Sequence, residues 1–282
     1  MKNFYIIVNK NKDNNRLVLD QVLTGLEKRG CTYRVSEGEF QRGKRFTSVS
    51  DVPENTECVI TLGGDGTLIR AARDLAETKI PIIGINLGTL GYLTEMSRDG
   101  NVEELLDALT LDHYQIQDRM MLRGRIYHGG ELLADDIALN DIVMTREGDL
   151  RVLKFKIYVD GQFLYEYSAD GVLVSTPTGS TAYNLSAGGP IAQPDGELLI
   201  LTPICPHTLT SRTIVLGAES KVTIEISPNN EQRQVAAFDG DTQIMMEPGD
   251  HIEIERSERI TRVVRLDHRS FLDILKHKMY DA

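Results

Sequence analysis

Apolar residues along this chain follow two different rhythms. Over the first hundred positions, short continuous runs alternate with stretches of helical spacing: FYIIV (4–8), an amphipathic segment from Arg16 to Arg29, TYRV (32–35), CVITL (58–62), a helical segment from Thr67 to Glu77, IPIIGIN (80–86) and a last helix, VEELLDAL (102–109). Runs of that length fit strands buried on both faces, and the helices between them supply the crossovers that parallel pairing requires. This half reads as an α/β domain with a parallel sheet. From about residue 112 the helical spacing fades and short alternating segments take over. RVLKFKIYVDGQFLYEY (151–167) alternates about an Asp160-Gly161 pair, the mark of a hairpin with a two-residue turn. VTIEI (222–226), HIEIE (251–255) and RVVRL (262–266) read as further strands, and SFLDILKHKMY closes the chain as a helix whose Phe271, Leu272, Ile274 and Leu275 are expected in the core. The expected organisation is an α/β domain over residues 1–110, an all-β, sandwich-like domain over 111–266 and a C-terminal helix within 267–282.

Composition narrows the classes. Hydrophobic residues at 41% and charged residues at 26% are ordinary for a globular chain, and no apolar run approaches the ~20 residues of a membrane helix. The apolar stretch in MKNFYIIVNKNKD is too short for a signal peptide, so a soluble, cytoplasmic protein with no membrane partner is expected. Cys31, Cys58 and Cys205 lie far apart with no C-x-x-C pair, and the six histidines show no metal-ligand spacing, so neither a disulfide framework nor a resident protein-bound metal is expected. A formal charge of −11 argues against a nucleic-acid partner, and RGKR (42–45) reads as a solvated loop.

Three stretches carry chemistry. TLGGDGTL (61–68) sits where a strand ends and a helix begins, the carboxyl edge at which open α/β sheets bind ligands. Its glycines let backbone N–H groups approach an anion, but no Lys-Ser/Thr follows as in a P-loop, and G-x-G-x-x-G fails at Ile69. From the octamer alone, Asp65 reads as a turn residue capping a helix at Thr67, a metal ligand or a base. NLGTLGYL (86–93) is a second glycine-rich strand exit, which beside the first would wall a polyphosphate. SADGVLVSTPTGSTAYNLSAGGP (168–190) follows an apolar strand with small and hydroxylated residues and one tyrosine, which suits a flat ring against backbone with hydroxyls at its edges; the plain alternative is a serine-rich surface loop. In LNDIV (139–143), Asn140 and Asp141 place an amide beside a carboxylate, a pair able to hold ribose hydroxyls or simply to form a turn.

GGDGT (63–67), the Asn140-Asp141 pair, ADGVLVSTPTGSTAYNLSAGGPI (169–191) and LTPICPHTLTSRTIVL (201–216) occur in the order and spacing of the NAD kinases, and the chain resembles a bacterial member of that family over most of its length. GGDG is shared with diacylglycerol and sphingosine kinases; the STPTGSTAY block is far more particular. The resemblance implies phosphoryl transfer from ATP or inorganic polyphosphate to the 2′-hydroxyl of the adenosine ribose of NAD, giving NADP, with Mg²⁺ arriving with the donor. By position it implies Asp65 as the catalytic aspartate, Gly64, Gly66 and Thr67 as the donor loop, and Asn140, Asp141, Asp170, Thr178, Thr181, Ala182, Tyr183 and Ser186 as the NAD site. It also implies a C-terminal tail that returns to the first domain and assembly as a homodimer or homotetramer. Two positions depart from the family pattern: Asp141 stands where Glu is commoner, shortening a ribose contact by one methylene, and Ala169 precedes Asp170-Gly171 where Gly is commoner. His207 reads as a structural hydrogen-bonding residue, and Arg212 has no assigned role. A lipid kinase would need an apolar groove that the polar block at 175–190 does not suggest, and a dinucleotide sensor would not need Asp65.

Overall fold

The computed structural model describes residues 1–12, 16–39, 41–88, 91–148, 152–208, 210–230, 233–266 and 270–280. Thr89 and Leu90 of the second glycine-rich stretch, Arg151 of the hairpin segment, Leu209 of the LTPICPHTLTSRTIVL stretch, and residues 267–269 and 281–282 of the expected C-terminal segment lie outside the described residues. The chain forms two compact units, one built from Met1–Arg119 together with the chain from Ile260 onward, the other from Met120–Arg259.

In the first unit, β1 (Asn3–Asn9), α1 (Leu17–Lys28), β2 (Thr32–Gly38), β3 (Cys58–Gly63), α2 (Asp65–Asp74), β4 (Ile82–Asn86), β5 (Met96–Ser97) and α3 (Val102–Thr110) follow in order. The parallel sheet runs β2–β1–β3–β4, with Ile6 opposite both Val35 and Ile60 and Leu62 opposite Ile85, while β5 adds beside β4. Strands β1, β3 and β4 are almost wholly buried, as expected of runs covered on both faces. Val18, Leu19, Val22 and Leu26 of α1 and Leu105, Leu106 and Leu109 of α3 form one core with Phe4, Ile6, Ile60 and Ile83; Leu68, Ala71 and Ala72 of α2 are buried outside that cluster. Asn101 caps α3 by accepting the amide N–H groups of Glu103 and Glu104 at 3.1 and 3.3 Å.

The second unit contains most of β6 (Gln115–His128), then β7 (Glu131–Ala138), β8 (Asp141–Arg146), β9 (Leu153–Val159), β10 (Gln162–Ala169), β11 (Gly171–Ser175), a 3₁₀ turn (Thr178–Thr181), α4 (Tyr183–Ser186), β12 (Leu198–Ile204), β13 (Ile214–Gly217), β14 (Val222–Ile226), β15 (Gln234–Phe238) and β16 (Thr242–Met246). One antiparallel sheet runs β13–β12–β11–β8–β15–β16. The other pairs β10–β9–β14 with the first part of β17 (His251–Arg265), which also pairs with β6, itself paired with β7. Ile142, Val172, Val174, Leu201 and Phe238 of one sheet meet Leu122, Phe155, Ile157, Ile224 and Ile252 of the other in a shared core, the antiparallel β sandwich expected. The hairpin turns as its Asp-Gly pair demands, with φ of 51° at Asp160 and 76° at Gly161.

HIEIE and RVVRL are one strand rather than two. Between Glu255 and Arg262 there is no Gly, Pro, Asn or Asp to break the extended chain. Its Val263 pairs in parallel with Ile82 of β4 within the first unit. In α5 (Phe271–Tyr280), Ile274 is buried but Leu272 is 69% exposed, so the helix does not bury its apolar residues as a set. Within the first unit, Lys278 of α5 lies with its Nζ 5.9 Å from the centroid of the Tyr92 ring, a cation–π approach.

Candidate functional site

The candidate site residues fall into two sets, one in each unit. In the first, β3 ends at Gly63, Gly64 occupies the N-cap and Asp65 is the first residue of α2, two positions before the start the spacing suggests. Asp65 therefore does not cap the helix. Thr67 does so instead, its Oγ1 accepting the Gly64 N–H at 3.3 Å while its own N–H donates to the Gly64 carbonyl at 2.9 Å. Those two amides are spent inside the turn, and the open donors of the first helical turn are the N–H groups of Asp65 and Gly66.

The Asp65 carboxylate turns to the second glycine-rich stretch. Its Oδ2 accepts the Tyr92 N–H at 2.7 Å, and its Oδ1 accepts the Thr94 N–H at 3.2 Å and the Thr94 hydroxyl at 3.1 Å. Thr94 Oγ1 accepts in turn from Asn86 Nδ2 at 3.2 Å and from Gly91 N–H at 3.1 Å, and Asn86 Oδ1 accepts the Gly88 N–H at 2.9 Å. The two strand exits are thus joined through Asp65. A Cβ on Gly91 would stand 1.8 Å from Asp65 Oδ1, so only glycine permits this approach. A carboxylate offers about four acceptor positions, of which three are filled here, and one on Oδ2 remains.

In the second unit, Asn140 lies between β7 and β8 and Asp141 opens β8, opposite Ser175 at the end of β11. The Asn140 carbonyl accepts from Thr176 N–H at 2.8 Å and Ser175 Oγ at 3.2 Å, while its side-chain Oδ1 is buried without a hydrogen-bond donor among the described residues. Asp141 is 5% exposed, and burial first, then the charge of Asp239, push its carboxyl up to about 7. Asp170 accepts from Arg146 Nε at 3.2 Å. Tyr183 is 43% exposed; partial burial raises its phenol, and Cys205, Asp141 and Asp170 push the same way, which places the ring in the field of both carboxylates.

The serine-rich stretch is not a surface loop. Ser175, Thr176, Thr178, Ser180 and Asn184 are buried. Thr176 Oγ1 donates to the Leu139 carbonyl at 2.6 Å and Thr178 Oγ1 to that of Pro194 at 3.3 Å. Asn184 Nδ2 donates to the carbonyls of Ser180 and Pro190, and its Oδ1 accepts from Thr202. This network folds the chain into the 3₁₀ turn and α4, leaving Thr181 and Ala182 half-buried and Tyr183 and Ser186 exposed. Asn140, Asp141, Asp170 and Tyr183 are brought into one neighbourhood, whereas the Thr178 hydroxyl is spent on the fold. His207 donates its backbone N–H to the Ser168 carbonyl at 2.8 Å, and Arg212 Nη1 donates to the carbonyl of its neighbour Ser211 at 2.7 Å.

The sequence reading missed Asp239, whose Oδ2 accepts the N–H of Leu139 at 2.8 Å and whose Oδ1 accepts those of Asn140 and Asp141 at 2.7 and 3.2 Å. This residue fixes the loop that presents the amide and the carboxyl. A signal existed: Asp239-Gly240, with φ of 51° and 66°, is the same turn pair as Asp160-Gly161. Thr94 was missed as well, since nothing in its local sequence shows that it answers a carboxylate 29 residues earlier. No cluster of His, Cys, Asp and Glu able to hold a metal occurs among the described residues. No helix among the described residues is long and apolar enough to cross a membrane.

Comparison with known proteins bears on both units. The family model of the ATP-NAD kinase N-terminal domain matches residues 4–114, and that of the ATP-NAD kinase C-terminal domain matches residues 139–266. The NAD kinase of Lachnospira eligens is 47% identical over 294 residues, covering 99% of this chain and 100% of the relative, and that of Agathobacter rectalis is 42% identical over 290 residues, covering 99% of both. Among solved structures, yeast NADH kinase complexed with NADH superposes with a TM-score of 0.82 at 25% identity, covering 99% of this chain and 87% of that one. An Archaeoglobus fulgidus NAD kinase in complex with ATP gives a TM-score of 0.75 at 25% identity, covering 98% of both chains.

Proposed function

The chain belongs to the NAD kinase family, phosphotransferases that phosphorylate NAD, and we propose that it transfers the terminal phosphoryl group of ATP or inorganic polyphosphate to the 2′-hydroxyl of the adenosine ribose of NAD, giving NADP. ATP bound to the archaeal relative and NADH bound to the yeast relative support this pairing of substrates. The observation that carries the reading is the carboxylate of Asp65, set in the first turn of α2 beside two open backbone N–H groups and held by three donors with one acceptor position left.

In the reaction, the 2′-oxygen forms a bond to the terminal phosphorus as the bridging P–O bond breaks, and that electron pair leaves on the donor's remaining phosphate. A free aspartate, pKa ~3.9, is a weak base at neutral pH, but a loose transition state asks little of it. Asp65 orients the hydroxyl through its remaining lone pair and takes the proton late. The amides of Asp65 and Gly66 hold the donor's phosphate oxygens, and the Mg²⁺ that accompanies the donor neutralises the charge developing there. On the acceptor side, the orphan Oδ1 of Asn140 and the carboxyl of Asp141 hold ribose hydroxyls, and Tyr183 offers a stacking face with Asp170, Thr181, Ala182 and Ser186 around it. A cytoplasmic enzyme assembled as a homodimer or homotetramer completes the reading.

Incubation of the purified protein with NAD, Mg²⁺ and either ATP or polyphosphate, read through a dehydrogenase that accepts only NADP, tests this. NADP is expected from NAD and none from the analogue lacking the adenosine 2′-hydroxyl. Phosphorylation of that analogue would overturn the assigned position, and NADP formation with one donor alone would fix the donor.

A further inference from the structure

The donor loop carries no cation of its own: GGDGT contains a carboxylate and no lysine or arginine. Phosphates held there by amides and a divalent ion alone would keep uncompensated charge on a chain of formal charge −11. The structure brings a lysine from elsewhere. β1 ends at Asn9, and β1 pairs with β3 so that Val8 stands opposite Leu62, which puts the exits of these two strands side by side. Lys12 lies three residues past that exit. Its N–H donates to the Asn9 carbonyl at 3.0 Å, and its carbonyl accepts from Arg98 Nη2 at 2.9 Å, so the backbone from which the side chain starts is tied down. The side chain reaches the turn itself: a Cβ on Gly64 would stand 2.7 Å from Lys12 Nζ. The ammonium therefore lies directly against the backbone of the glycine turn. Lys12 forms no ion pair with a carboxylate among the described residues, and its side chain is exposed.

We propose that Lys12 is a phosphate-binding residue of the donor site, its ammonium contacting an oxygen of the donor's phosphate chain beside the amides of Asp65 and Gly66. An ammonium supplies a mobile point charge there, as the lysine of a P-loop does from within its own motif. The inference rests on the assignment of the glycine turn to the phosphate donor.

Lys12→Met and Lys12→Arg, with Lys79→Met beyond the opposite end of α2 as control, separate the two claims. Binding of Mg²⁺–tripolyphosphate is measured by calorimetry on all four proteins, and steady-state kinetics with ATP and NAD are recorded beside it. Lys12→Met is expected to weaken tripolyphosphate binding and raise the donor KM by about tenfold or more, with the NAD KM within about twofold. Lys12→Arg should recover most of the loss, and Lys79→Met should match wild type. Equal tripolyphosphate binding by Lys12→Met and wild type overturns the proposal, as does a rise confined to the NAD KM. If wild type binds tripolyphosphate in a Lys12-dependent way yet makes no NADP, Lys12 stands as a phosphate ligand and the kinase reading falls.

Discussion

Asp65 is placed by three hydrogen bonds from two residues of another loop, Tyr92 and Thr94, and that sets what its loss should do. The Asp65→Asn side chain keeps one acceptor oxygen for Thr94 or Tyr92 but presents an NH₂ where another donor already points. The expected outcome is a fall in kcat of ~10²-fold or more with the NAD KM little changed, measured by steady-state kinetics; near-normal turnover would return Asp65 to the role of a strut between loops. Asp141 makes a different claim. Its carboxyl is raised from the ordinary 3.8 to about 7, so the folded chain takes up a proton the unfolded chain does not. That contribution is complete below about pH 4 and is lost as pH climbs toward and through 7, a change on the order of a few kcal/mol. Urea melts between pH 5 and 8 should show wild type losing stability as pH rises, and Asp141→Asn should flatten the slope. At this scale Asp65 was legible because a carboxylate inside a glycine turn between strand and helix asks for a reason. Asp239 was legible only as half of a turn pair with Gly240; its role was not, because its three partners are backbone amides 98 to 100 residues away that no local pattern records.

Periodicity placed the elements it assigned to within two or three residues, β6, β7, β12, β13, β15 and β16 being covered only by the general expectation of further strands, and the discrepancies have physical causes. The helix after GGDGT starts at Asp65 because Gly64 takes the extended cap conformation, φ −143° and ψ −173°, so the turn closes earlier than the apolar spacing reveals. β17 runs uninterrupted for want of a breaking residue, although its apolar spacing lapses in the middle. The block at 175–190 is the hardest to read, since its small polar residues suit a mobile loop and a buried network equally, and the full burial of Ser175, Thr176, Ser180 and Asn184 decides between them. That network makes a prediction for the element. A Cβ on Gly179 would stand 2.2 Å from the Asn140 carbonyl oxygen, which is backbone and cannot swing aside. Gly179→Ala should cost about 1–3 kcal/mol in a urea melt and weaken NAD binding by displacing Asn140. Gly91→Ala, which presses on the Asp65 carboxylate instead, should depress kcat while leaving stability of the second unit unchanged when probed by hydrogen exchange.

Across the whole molecule, the change from continuous to alternating apolar runs announced an α/β half and a β-sandwich half, and the family comparison agrees with both. Periodicity did not show that the second part of β17 belongs to the α/β unit, although the family resemblance implied a C-terminal tail that returns there. Val263 and Val264 of β17 are fully buried there, Arg265 forms an ion pair with the buried Glu95, and the Leu266 N–H donates to Glu95 Oε2 at 3.2 Å. A chain ending at Arg259 should leave Ile82 without its neighbour on that side and Glu95 buried without its cation. It is expected to be aggregated or degraded rapidly, with amide protection lost in β3 and β4 when measured by hydrogen exchange. Protection equal to that of the full chain would show β17 to be dispensable to the first unit.

Because Ile260 onward completes a fold begun at Met1, a ribosome making this protein exposes β1 to β4 long before their last partner exists. At ~5–20 residues per second, the second unit emerges whole during that interval. Its contiguous segment can collapse at once, while the glycine turn after β3 hangs on a sheet still missing an edge. The order of birth is therefore inverted: the half encoded first matures last, and no nascent chain carries a finished Asp65 site until its final strand has cleared the exit tunnel.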